Sequence, residues 1–460
     1  MTSSNSGRSA TDAGDALPRN SHSYRYALLI AITAAVGGLL FGYDTSVISG
    51  AILFVRKQFQ LSSAQTELAV SIVLAGAALG AAVAGYFADR FGRKPVLLVN
   101  AIIFGVFAVA TGLSNELTVF LVARFFVGLA VGTASMITPL YIAELAPARM
   151  RGAFVTLNQL AIVTGIAVAY YVDFLFADAG NWRAMFISAV GPSLVLLVAL
   201  IFLPESPRWL ATRSRLDEAL RVLSRIETAQ EAERNRQELR QVTEIDNLSF
   251  RDLFAARFRR PLLIGVLLAV FQQITGVNTI IYYTPTILQM AGFESASRAI
   301  LATVLVGAVN LVFTLVSLLL LDRVGRRPLL MLGIAGMGLS LIHLGYLFGA
   351  THVARNAILL DVIAYLASFA IGLGPIFWLL ISEIYPTTVR GQAMSLATVV
   401  IWVSDLLVTI TFLTLVERLG ARGSFWLYAA ACVAALFFSA RMVPETKGRT
   451  LEEIETSWTM

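Results

Sequence analysis

An aspartate and an arginine stand inside stretches of sequence that otherwise carry almost no charge. Asp44 lies deep in the first long apolar run, and Arg124 lies inside the fourth. An ionisable side chain is costly to bury in such a run, so by default it has a function. Burial favours the neutral acid, whereas a nearby cation favours the carboxylate, and Arg124 is the obvious cation for Asp44. A permanent ion pair that holds two helices together is the alternative, although buried pairs contribute little net stability.

Amide and aromatic side chains form a second group within apolar runs. An amide both donates and accepts hydrogen bonds, so it suits hydroxyl groups of a ligand, and an aromatic ring suits an apolar face. Neutral amides also avoid the cost of burying a charge. Hydrogen bonding between membrane helices is the alternative role for any single amide. The set comprises Gln159, Gln272, Gln273, Asn278, Asn310, Trp378 and Trp402.

The chain that must position these residues has 460 residues, of which 57% are hydrophobic and 14% are charged. A soluble domain averages about 25% charged residues, so the composition indicates a membrane protein. Twelve apolar runs are long enough to cross a bilayer as helices, and the last begins near Gly423. The runs are too long, and alternate too little, for a β-barrel. The predicted fold class is an all-α membrane protein with twelve transmembrane helices.

A polar segment separates the sixth apolar run from the seventh. It is rich in Glu, Arg and Gln, and the stretch Leu216–Ile226 has helical periodicity. This pattern predicts a linker with short helices between two groups of six. The predicted domains are a disordered cytoplasmic tail (1–23), an N-terminal six-helix bundle (24–203), a cytoplasmic linker (204–260), a C-terminal six-helix bundle (261–443) and a cytoplasmic C-terminal tail (444–460).

Most of the 35 lysine and arginine residues lie in loops on one side of the predicted membrane segment. The positive-inside rule places that side, with both termini, in the cytoplasm. The chain is therefore expected to be a multi-pass protein of the cytoplasmic membrane, surrounded by the lipid bilayer and without a nucleic-acid partner. Cys432 is the only cysteine and the three histidines are scattered, so neither a metal site nor a cofactor is predicted.

The two halves of the sequence repeat one another. A motif around Asp89 recurs around Asp322, at an offset of 233 residues, and a motif that begins at Glu144 recurs at Glu383, at an offset of 239 residues. Matching motifs at a nearly constant offset indicate two homologous bundles. Proteins built in this way place a ligand between the repeats, near the middle of the bilayer.

These motifs resemble those of the sugar porter branch of the major facilitator superfamily, over about residues 26–455. The resemblance implies the major facilitator fold with two six-helix pseudo-repeats. It also implies proton-coupled uptake of a monosaccharide, whether hexose, pentose or inositol, by alternating access in a functional monomer that is not an enzyme. The motifs are Gly38-Leu-Leu-Phe-Gly-Tyr-Asp44, Asp89-Arg90-Phe-Gly92-Arg93-Lys94, Arg124-Phe-Phe-Val-Gly-Leu, Pro204-Glu205-Ser-Pro-Arg208-Trp, Gln272-Gln273-Ile-Thr-Gly276-Val-Asn278 and Pro444-Glu445-Thr446-Lys447-Gly448-Arg449.

The resemblance also assigns the proton site. In proton-coupled sugar porters an aspartate at the position of Asp44 takes the proton, and the arginine that matches Arg124 pairs with its charged form. Facilitative glucose uniporters carry an amide at the same position, so a facilitative sugar uniporter is the alternative function and Asp44 separates the two. The position that repeats Asp44 in the second half holds Asn278. The sixth helix lacks the acid that some proton–xylose relatives carry there.

Further roles follow from the resemblance. The amides and tryptophans named above match sugar-contact positions, and Tyr282 and Tyr283 resemble residues that close the outer gate. Charged residues of the repeated motifs are expected to bridge helices at the inner face, as a latch that breaks when the protein opens inward. Solvated turns of a positive-inside topology are the alternative. The latch comprises Asp89, Arg93, Glu144, Arg151, Asp322, Arg326, Glu383 and Arg390.

Two positions depart from the family pattern and leave the sugar undefined. Ile401 stands where many relatives have a polar residue, and Asp405 stands where glucose uniporters tend to have Asn. Two interpretations of Asp405 are open: a solvated group in the inner vestibule, or a residue that touches substrate or proton. A membrane-embedded enzyme and a non-transporting sugar sensor are further alternatives. No nucleophile motif or phosphate-binding loop supports the former, and no long tail after Glu445 supports the latter.

Overall fold

The chain is almost entirely α-helical where its structure is described, and no strand occurs among those residues. Residues 1–20 of the predicted tail lie outside the described residues, whereas residues 21–23 begin the first helix. Residues 227–249 of the predicted linker also lie outside. The computed structural model describes residues 21–146, 151–226, 250–350, 354–386, 388–449, 451–456 and 458.

Eighteen α-helices make up the described chain, and two short 3-10 turns, Phe250–Phe254 and Ala256–Phe258, precede the tenth. In chain order the helices are α1 (Ser21–Phe59), α2 (Ser63–Phe91), α3 (Arg93–Leu113), α4 (Leu117–Leu145), α5 (Arg151–Ala177), α6 (Trp182–Ile187), α7 (Val190–Phe202), α8 (Pro207–Thr212), α9 (Leu216–Ile226), α10 (Arg259–Ile274), α11 (Val277–Met290), α12 (Ala296–Val324), α13 (Arg326–Phe348), α14 (Arg355–Ile371), α15 (Leu373–Ile384), α16 (Arg390–Thr409), α17 (Phe412–Met442) and α18 (Leu451–Thr456).

Twelve segments of the described chain are long and apolar enough to cross a membrane, which requires about 20 residues. They are numbered as spans 1 to 12. Spans 1–6 form the N-terminal half and spans 7–12 form the C-terminal half. The spans are Leu29–Phe59, Ser63–Phe91, Arg93–Leu113, Leu117–Leu145, Leu157–Ala177, Trp182–Phe202, Ala256–Met290, Ala296–Val324, Arg326–Phe348, Arg355–Ile384, Arg390–Thr409 and Phe412–Met442.

Span 7 is broken in its middle by Gly276. This glycine has a φ of 89°, and a Cβ placed on it would collide with the ring of Tyr428. Because only glycine adopts this backbone conformation without strain, span 7 divides here into α10 and α11. Span 10 is also divided, at Gly372, where φ is −106° and ψ is −101°, into α14 and α15. Interrupted helices of this kind free backbone groups near the middle of a membrane protein, where they can line a site.

Glycine also sets how closely neighbouring spans approach. Spans 2 and 4 lie side by side, and a Cβ at Gly128 would collide with the backbone of Val73, while one at Gly76 would collide with the backbone of Phe125. Small residues are enriched at helix interfaces in membranes because association there depends on close packing. The two halves meet where span 5 lies against span 8, span 2 against span 11, and span 1 against span 7.

The bundle has two ends. The linker end carries the turns at Gly92 and Gly325 together with residues 204–226 and 250–258, and the far end carries the turns at 60–62 and 291–295. Span 12 reaches further towards the far end than the sequence predicted, because its helix begins at Phe412 and not near Gly423. The helix bends at Gly420, where φ is 71°, so hydropathy alone placed the start after the bend.

Candidate functional site

Asp44 and Arg124 meet inside the N-terminal half, between spans 1 and 4. Arg124 Nη1 donates a hydrogen bond to Asp44 Oδ1 at 2.6 Å, and the arginine is 0% and the aspartate 2% exposed. The guanidinium also lies 5.2 Å from the ring centroid of Phe186. Asp44 Oδ2 and Arg124 Nε and Nη2 have no hydrogen-bond partner among the described residues. The charges are matched, but the pair lacks the second bond of a bidentate arginine–carboxylate contact.

Close packing of span 1 holds Asp44 at this depth. A Cβ on Gly42 would collide with the carbonyl group of Ile162, so spans 1 and 5 touch along their backbones. Tyr43 ties span 1 to span 6, because its hydroxyl donates to the carbonyl oxygen of Met185 at 3.1 Å and contacts the hydroxyl of Ser188. These contacts fix the backbone that carries Asp44, so a change in its depth requires a movement of span 1.

Three predicted amides lie on either side of the break in span 7. Gln272 Nε2 donates to the carbonyl oxygen of Leu373 at 3.2 Å, and Gln273 Nε2 donates to Gln272 Oε1 at 3.4 Å. Asn278 Nδ2 donates to Gln273 Oε1 at 2.9 Å. The break at Gly276 thus lets three side chains form one chain of hydrogen bonds that can exchange partners with a ligand's hydroxyl groups.

Asp405 extends this chain of amides into span 11. Its Oδ2 accepts hydrogen bonds from Asn278 Nδ2 at 2.7 Å and from the Tyr282 hydroxyl at 3.0 Å, and its Oδ1 accepts from the Thr409 hydroxyl at 3.0 Å. The residue is 0% exposed. The interpretation of Asp405 as a solvated vestibule group is therefore wrong, because the carboxylate is enclosed and bonded to two predicted site residues.

Trp402 stands one helical turn before Asp405, at the contact between the halves. Its indole Nε1 donates to the hydroxyl of Ser135 at 3.2 Å, and its ring centroid lies 5.2 Å from that of Phe41. Both partners belong to the N-terminal half, on spans 4 and 1. The tryptophan thus joins the halves at mid-depth, beside the cluster formed by Asn278 and Asp405.

The remaining predicted sugar contacts are not bonded to this cluster. Asn310 of span 8 is buried, and its Oδ1 has no hydrogen-bond partner among the described residues. Trp378 is half-buried and meets Phe377 edge to face at 5.1 Å between centroids, and Gln159 is half-buried in span 5. These positions stay predictions as ligand contacts.

Both predicted gate tyrosines point into the C-terminal half. The Tyr282 hydroxyl reaches Asp405, and the Tyr283 hydroxyl donates to the carbonyl oxygen of Thr409 at 3.4 Å. The Tyr283 ring also lies 5.1 Å from that of Phe412, at the start of span 12. The two tyrosines fasten α11 to spans 11 and 12, which is a suitable position for a gate.

Hydrogen bonds join the two halves at the far end. Glu67 of span 2 is buried, and its carboxylate accepts from the backbone N–H and the hydroxyl of Thr414, at 2.7 and 2.8 Å. The Ser297 hydroxyl donates to Asp178 Oδ1 at 2.6 Å. These contacts hold spans 2 and 12, and the ends of spans 5 and 8, against each other.

The predicted latch residues at the linker end pair within each half. Arg93 contacts both carboxylate oxygens of Glu144, at 3.1 and 3.3 Å, and Asp89 at 3.1 Å. The repeat of Arg93, Arg326, contacts Asp322 at 3.3 Å and Glu383 at 3.4 Å. Their role as a latch stays a prediction. The side chain of the predicted latch residue Arg151 lies outside the described residues, and Arg390 Nε donates to the carbonyl oxygen of Tyr385 at 3.2 Å.

The two Pro-Glu motifs have matching structural roles. Glu205 accepts from the backbone N–H groups of Arg93 and Lys94, and Glu445 accepts from those of Arg326 and Arg327, all at 3.1–3.3 Å. Each carboxylate therefore caps the first turn of α3 or α13, where free N–H groups favour an anion. Burial raises the pKa of Glu205. At the shallower Glu445 burial acts in the same direction, but backbone N–H groups outweigh it and lower the pKa.

Comparison with known proteins places this arrangement in a family. The model of the "Sugar (and other) transporter" family matches residues 30–458. The chain belongs to this family. The sequence-based prediction of a sugar porter, and not an enzyme, is thereby confirmed.

Relatives of this sugar transporter match it along nearly its whole length. A putative metabolite transport protein of Bacillus subtilis is 41% identical, over 92% of this chain and 93% of the relative. The galactose-proton symporter of Escherichia coli is 37% identical, over 96% of each chain. The solved structure of the major facilitator superfamily proton:xylose symporter XylE, bound to 6-bromo-6-deoxy-D-glucose, is 34% identical with a TM-score of 0.81, over 95% of this chain and 100% of that chain. The predicted major facilitator fold is confirmed.

Sequence reasoning missed two buried acids of this sugar transporter. Glu67 stands near the start of the second apolar run, where an acid resembles an ordinary loop residue. Asp173 of span 5 is 0% exposed and accepts a hydrogen bond from the backbone N–H of Gly50 at 3.0 Å. Its place inside an apolar run was the same signal that singled out Asp44.

Proposed function

We propose that this sugar transporter couples the uptake of a monosaccharide to protons, across the cytoplasmic membrane, by alternating access. The observation that carries the proposal is the buried Asp44–Arg124 pair, which is charge-matched but joined by a single hydrogen bond. The galactose-proton symporter and the proton:xylose symporter, similar over 96% and 95% of this chain, support coupling to protons. The sugar is a hexose, a pentose or inositol.

The proton acts at Asp44. A proton from the extracellular side neutralises the carboxylate and removes the attraction that holds Arg124 Nη1 to it. Span 1 is then free to move relative to span 4. When the protein faces inward, Arg124 favours the charged form of Asp44 and drives the proton out to the cytoplasm. One acid beside one arginine thus gives two states whose balance depends on a single proton.

The sugar binds between the halves, at the break in span 7. Gln272, Gln273 and Asn278 offer amide donors and acceptors to its hydroxyl groups, and Trp402 offers a ring to its apolar face. Because these amides bond to one another in the closed cluster, a sugar can replace those bonds without leaving polar groups unpaired. Gln159, Asn310 and Trp378 complete the proposed site.

The orientation of the protein in the membrane follows from the distribution of positive charge in its loops. Loops at the linker end carry most lysine and arginine residues, so this end and both termini face the cytoplasm in the proposal. The bonds of Glu67 to Thr414 and of Asp178 to Ser297 then close the extracellular side. The contacts of Arg93 and Arg326 form the core of the inner latch, which rearranges as the halves rock.

The moving parts are two six-helix bundles, residues 24–203 and 261–443, in a functional monomer. The polar linker, residues 204–260, connects them on the cytoplasmic side in the proposal. Inward movement of a neutral sugar with one proton carries one charge, so uptake responds to membrane potential by about 2.3 kcal/mol per 100 mV.

A facilitative uniporter is the second candidate. The specific observation in its favour is the complete burial of the Asp44–Arg124 pair. Such a pair can also be a permanent contact that holds two helices together. In that case Asp44 would stay charged throughout the cycle, and a proton gradient would have no effect on sugar movement.

Uptake of labelled glucose, galactose, xylose and myo-inositol into proteoliposomes distinguishes the two candidates. With an inward proton gradient, the wild-type protein should accumulate its sugar above the external concentration. Asp44→Asn, which resembles the protonated state, should only exchange sugar for sugar, because the unloaded carrier cannot restore the Arg124 ion pair. Equal, gradient-independent equilibration by both proteins would establish the uniporter. Asp361→Asn, a matched change at an acid bonded to His343 outside the site, should behave as the wild type.

A further inference from the structure

Asp405 is the second acid buried beside the sugar site, and neutral groups surround it. Its three hydrogen-bond donors are an amide, a phenol and an alcohol, from Asn278, Tyr282 and Thr409. A carboxylate can accept about four hydrogen bonds, so these three favour its ionised form. The enclosure of the residue, at 0% exposed, favours its neutral form. The two tendencies oppose each other, so the loss of one donor shifts the balance towards the neutral form.

No cation compensates Asp405 among the described residues near it. Span 11 lies against spans 2, 4, 7 and 10 and against the 3-10 turn Phe250–Phe254, and the charged groups that the spans direct inward near Asp405 are already bonded elsewhere. The charged groups are Glu67 of span 2, bonded to Thr414; Arg124 of span 4, bonded to Asp44; and Glu383 of span 10, bonded to Arg326. Span 7 contributes two neutral tyrosines, Tyr282, which donates to Asp405 itself, and Tyr283, which donates to the carbonyl oxygen of Thr409.

Asn278 connects Asp405 to the sugar. Its amide nitrogen donates to Gln273 Oε1 at 2.9 Å and to Asp405 Oδ2 at 2.7 Å, so both of its N–H bonds are in use. A sugar oxygen that accepts a hydrogen bond from Asn278 must replace one of these two acceptors. If it replaces Asp405, the carboxylate loses one of three donors, and its ionised form becomes less favourable inside the bundle.

We propose that Asp405 is a second proton-binding carboxyl group, placed in the sugar site itself, which takes up a proton as the sugar withdraws Asn278. The inference rests on the proposed function, since it concerns how many protons accompany the sugar. The proton comes from the extracellular water, binds the carboxylate as the sugar binds, and leaves to the cytoplasm when the sugar departs and Asn278 donates to Asp405 again. Linkage makes the effect reciprocal: protonated Asp405 strengthens sugar binding by the same factor as sugar strengthens proton binding.

The proton-to-sugar ratio tests this directly. Proteoliposomes are clamped at zero membrane potential, and a pH gradient of one unit drives accumulation of the sugar identified in the uptake panel. At equilibrium, one proton per sugar gives about 10-fold accumulation and two protons give about 100-fold, because each tenfold gradient contributes one factor of ten per proton. The wild-type protein is expected to reach about 100-fold, and Asp405→Asn about 10-fold. The matched control Asp361→Asn should keep the wild-type ratio.

The outcomes separate the two proposals. About 10-fold accumulation by the wild type overturns the role of Asp405 and leaves the symporter intact, whereas no accumulation overturns both. Equal, 100-fold accumulation by the wild type and Asp405→Asn also overturns it. A wild-type ratio of about 10-fold overturns the role of Asp405 even where the variant does not fold.

Sugar affinity as a function of pH gives a second, independent measurement. As pH rises, Asp405 ionises and recaptures Asn278, so the wild-type Kd should increase. In Asp405→Asn the neutral amide cannot ionise, and the part of the pH dependence that depends on this residue should disappear. An identical pH profile in both proteins would contradict the proposal.

Discussion

At the scale of single residues, three acids show three ways to bury a carboxylate inside a helical bundle. Asp44 faces a guanidinium, Asp405 faces three neutral donors, and Glu67 faces the backbone N–H and hydroxyl of Thr414. Of these three acids, only Glu67 has a contact that joins the two halves. Its bonds must therefore break whenever the far end opens.

Glu67→Gln should weaken this closure. The amide replaces one acceptor oxygen with a donor that faces the Thr414 N–H or hydroxyl, so one charged hydrogen bond is lost, at a cost on the order of 1–3 kcal/mol. The population open at the far end should rise by about 5- to 150-fold. Spin labels at the exposed positions Lys57 and Glu294, one in each half, report this change as a longer distance between the labels.

Glu116→Gln provides the matched control for that experiment. Glu116 is an exposed acid at the same end, before α4, and its side chain makes no capping hydrogen bond. Its replacement should leave the distance distribution unchanged. A distribution that is the same in Glu67→Gln and the wild type would show that this contact does not hold the far end closed.

The sequence could predict Asp44 and Arg124 because each is a charged residue in an apolar run. It could not predict the partners of Asp405, since Asn278 and Tyr282 lie 127 and 123 residues away along the chain. Nor could it predict that Glu67 meets Thr414, 347 residues distant. Contacts of this kind depend on how whole helices pack, which periodicity and hydropathy do not specify.

At the scale of helices, backbone contact between spans 1 and 5 positions the proton site. A Cβ at Gly42 would overlap the carbonyl group of Ile162, whereas a Cβ at Gly85 of span 2 would meet nothing within 4 Å. The same substitution should therefore have opposite effects at these two glycines. Overpacking at a tight interface typically costs about 1–3 kcal/mol, while alanine in an open helical position is favoured by up to about 1 kcal/mol.

Thermal unfolding of purified Gly42→Ala and Gly85→Ala in detergent checks this expectation. Gly42→Ala should lower the Tm and also reduce sugar accumulation, because span 1 carries Asp44. Gly85→Ala should leave the Tm unchanged or raise it. Equal Tm values for Gly42→Ala and the wild type would mean that spans 1 and 5 separate without penalty.

Helix boundaries were predictable where a motif marked them, and less so elsewhere. The repeated Gly92 and Gly325 turns, with φ of 104° and 105°, stand where the Asp-Arg-x-Gly-Arg motifs predict loops. The start of span 12 at Phe412 was missed because a charged stretch with Glu417 and Arg418 precedes Gly423 and lowers hydropathy there. Hydropathy detects the apolar part of a helix, and a helix can extend beyond it.

At the scale of the whole molecule, the two halves share the glutamates and ion pairs of the repeated motifs, but they differ in the buried functional side chains that they carry. Glu205 and Glu445 cap equivalent helices, and Arg93 and Arg326 make equivalent ion pairs. The buried ion pair of Asp44 belongs to the N-terminal half, and the amide cluster belongs to the C-terminal half. Rocking of the halves would bring a proton-dependent surface against a sugar-binding one, which is the arrangement that coupled transport requires.

Proton movement on addition of sugar tests this account most directly. Wild-type proteoliposomes are suspended in lightly buffered medium, with valinomycin and potassium to balance charge, and the external pH is followed as the transported sugar is added. The account predicts immediate alkalinisation of the medium with the wild-type protein and none with Asp44→Asn. Entry of sugar into wild-type vesicles without any change in external pH would contradict it.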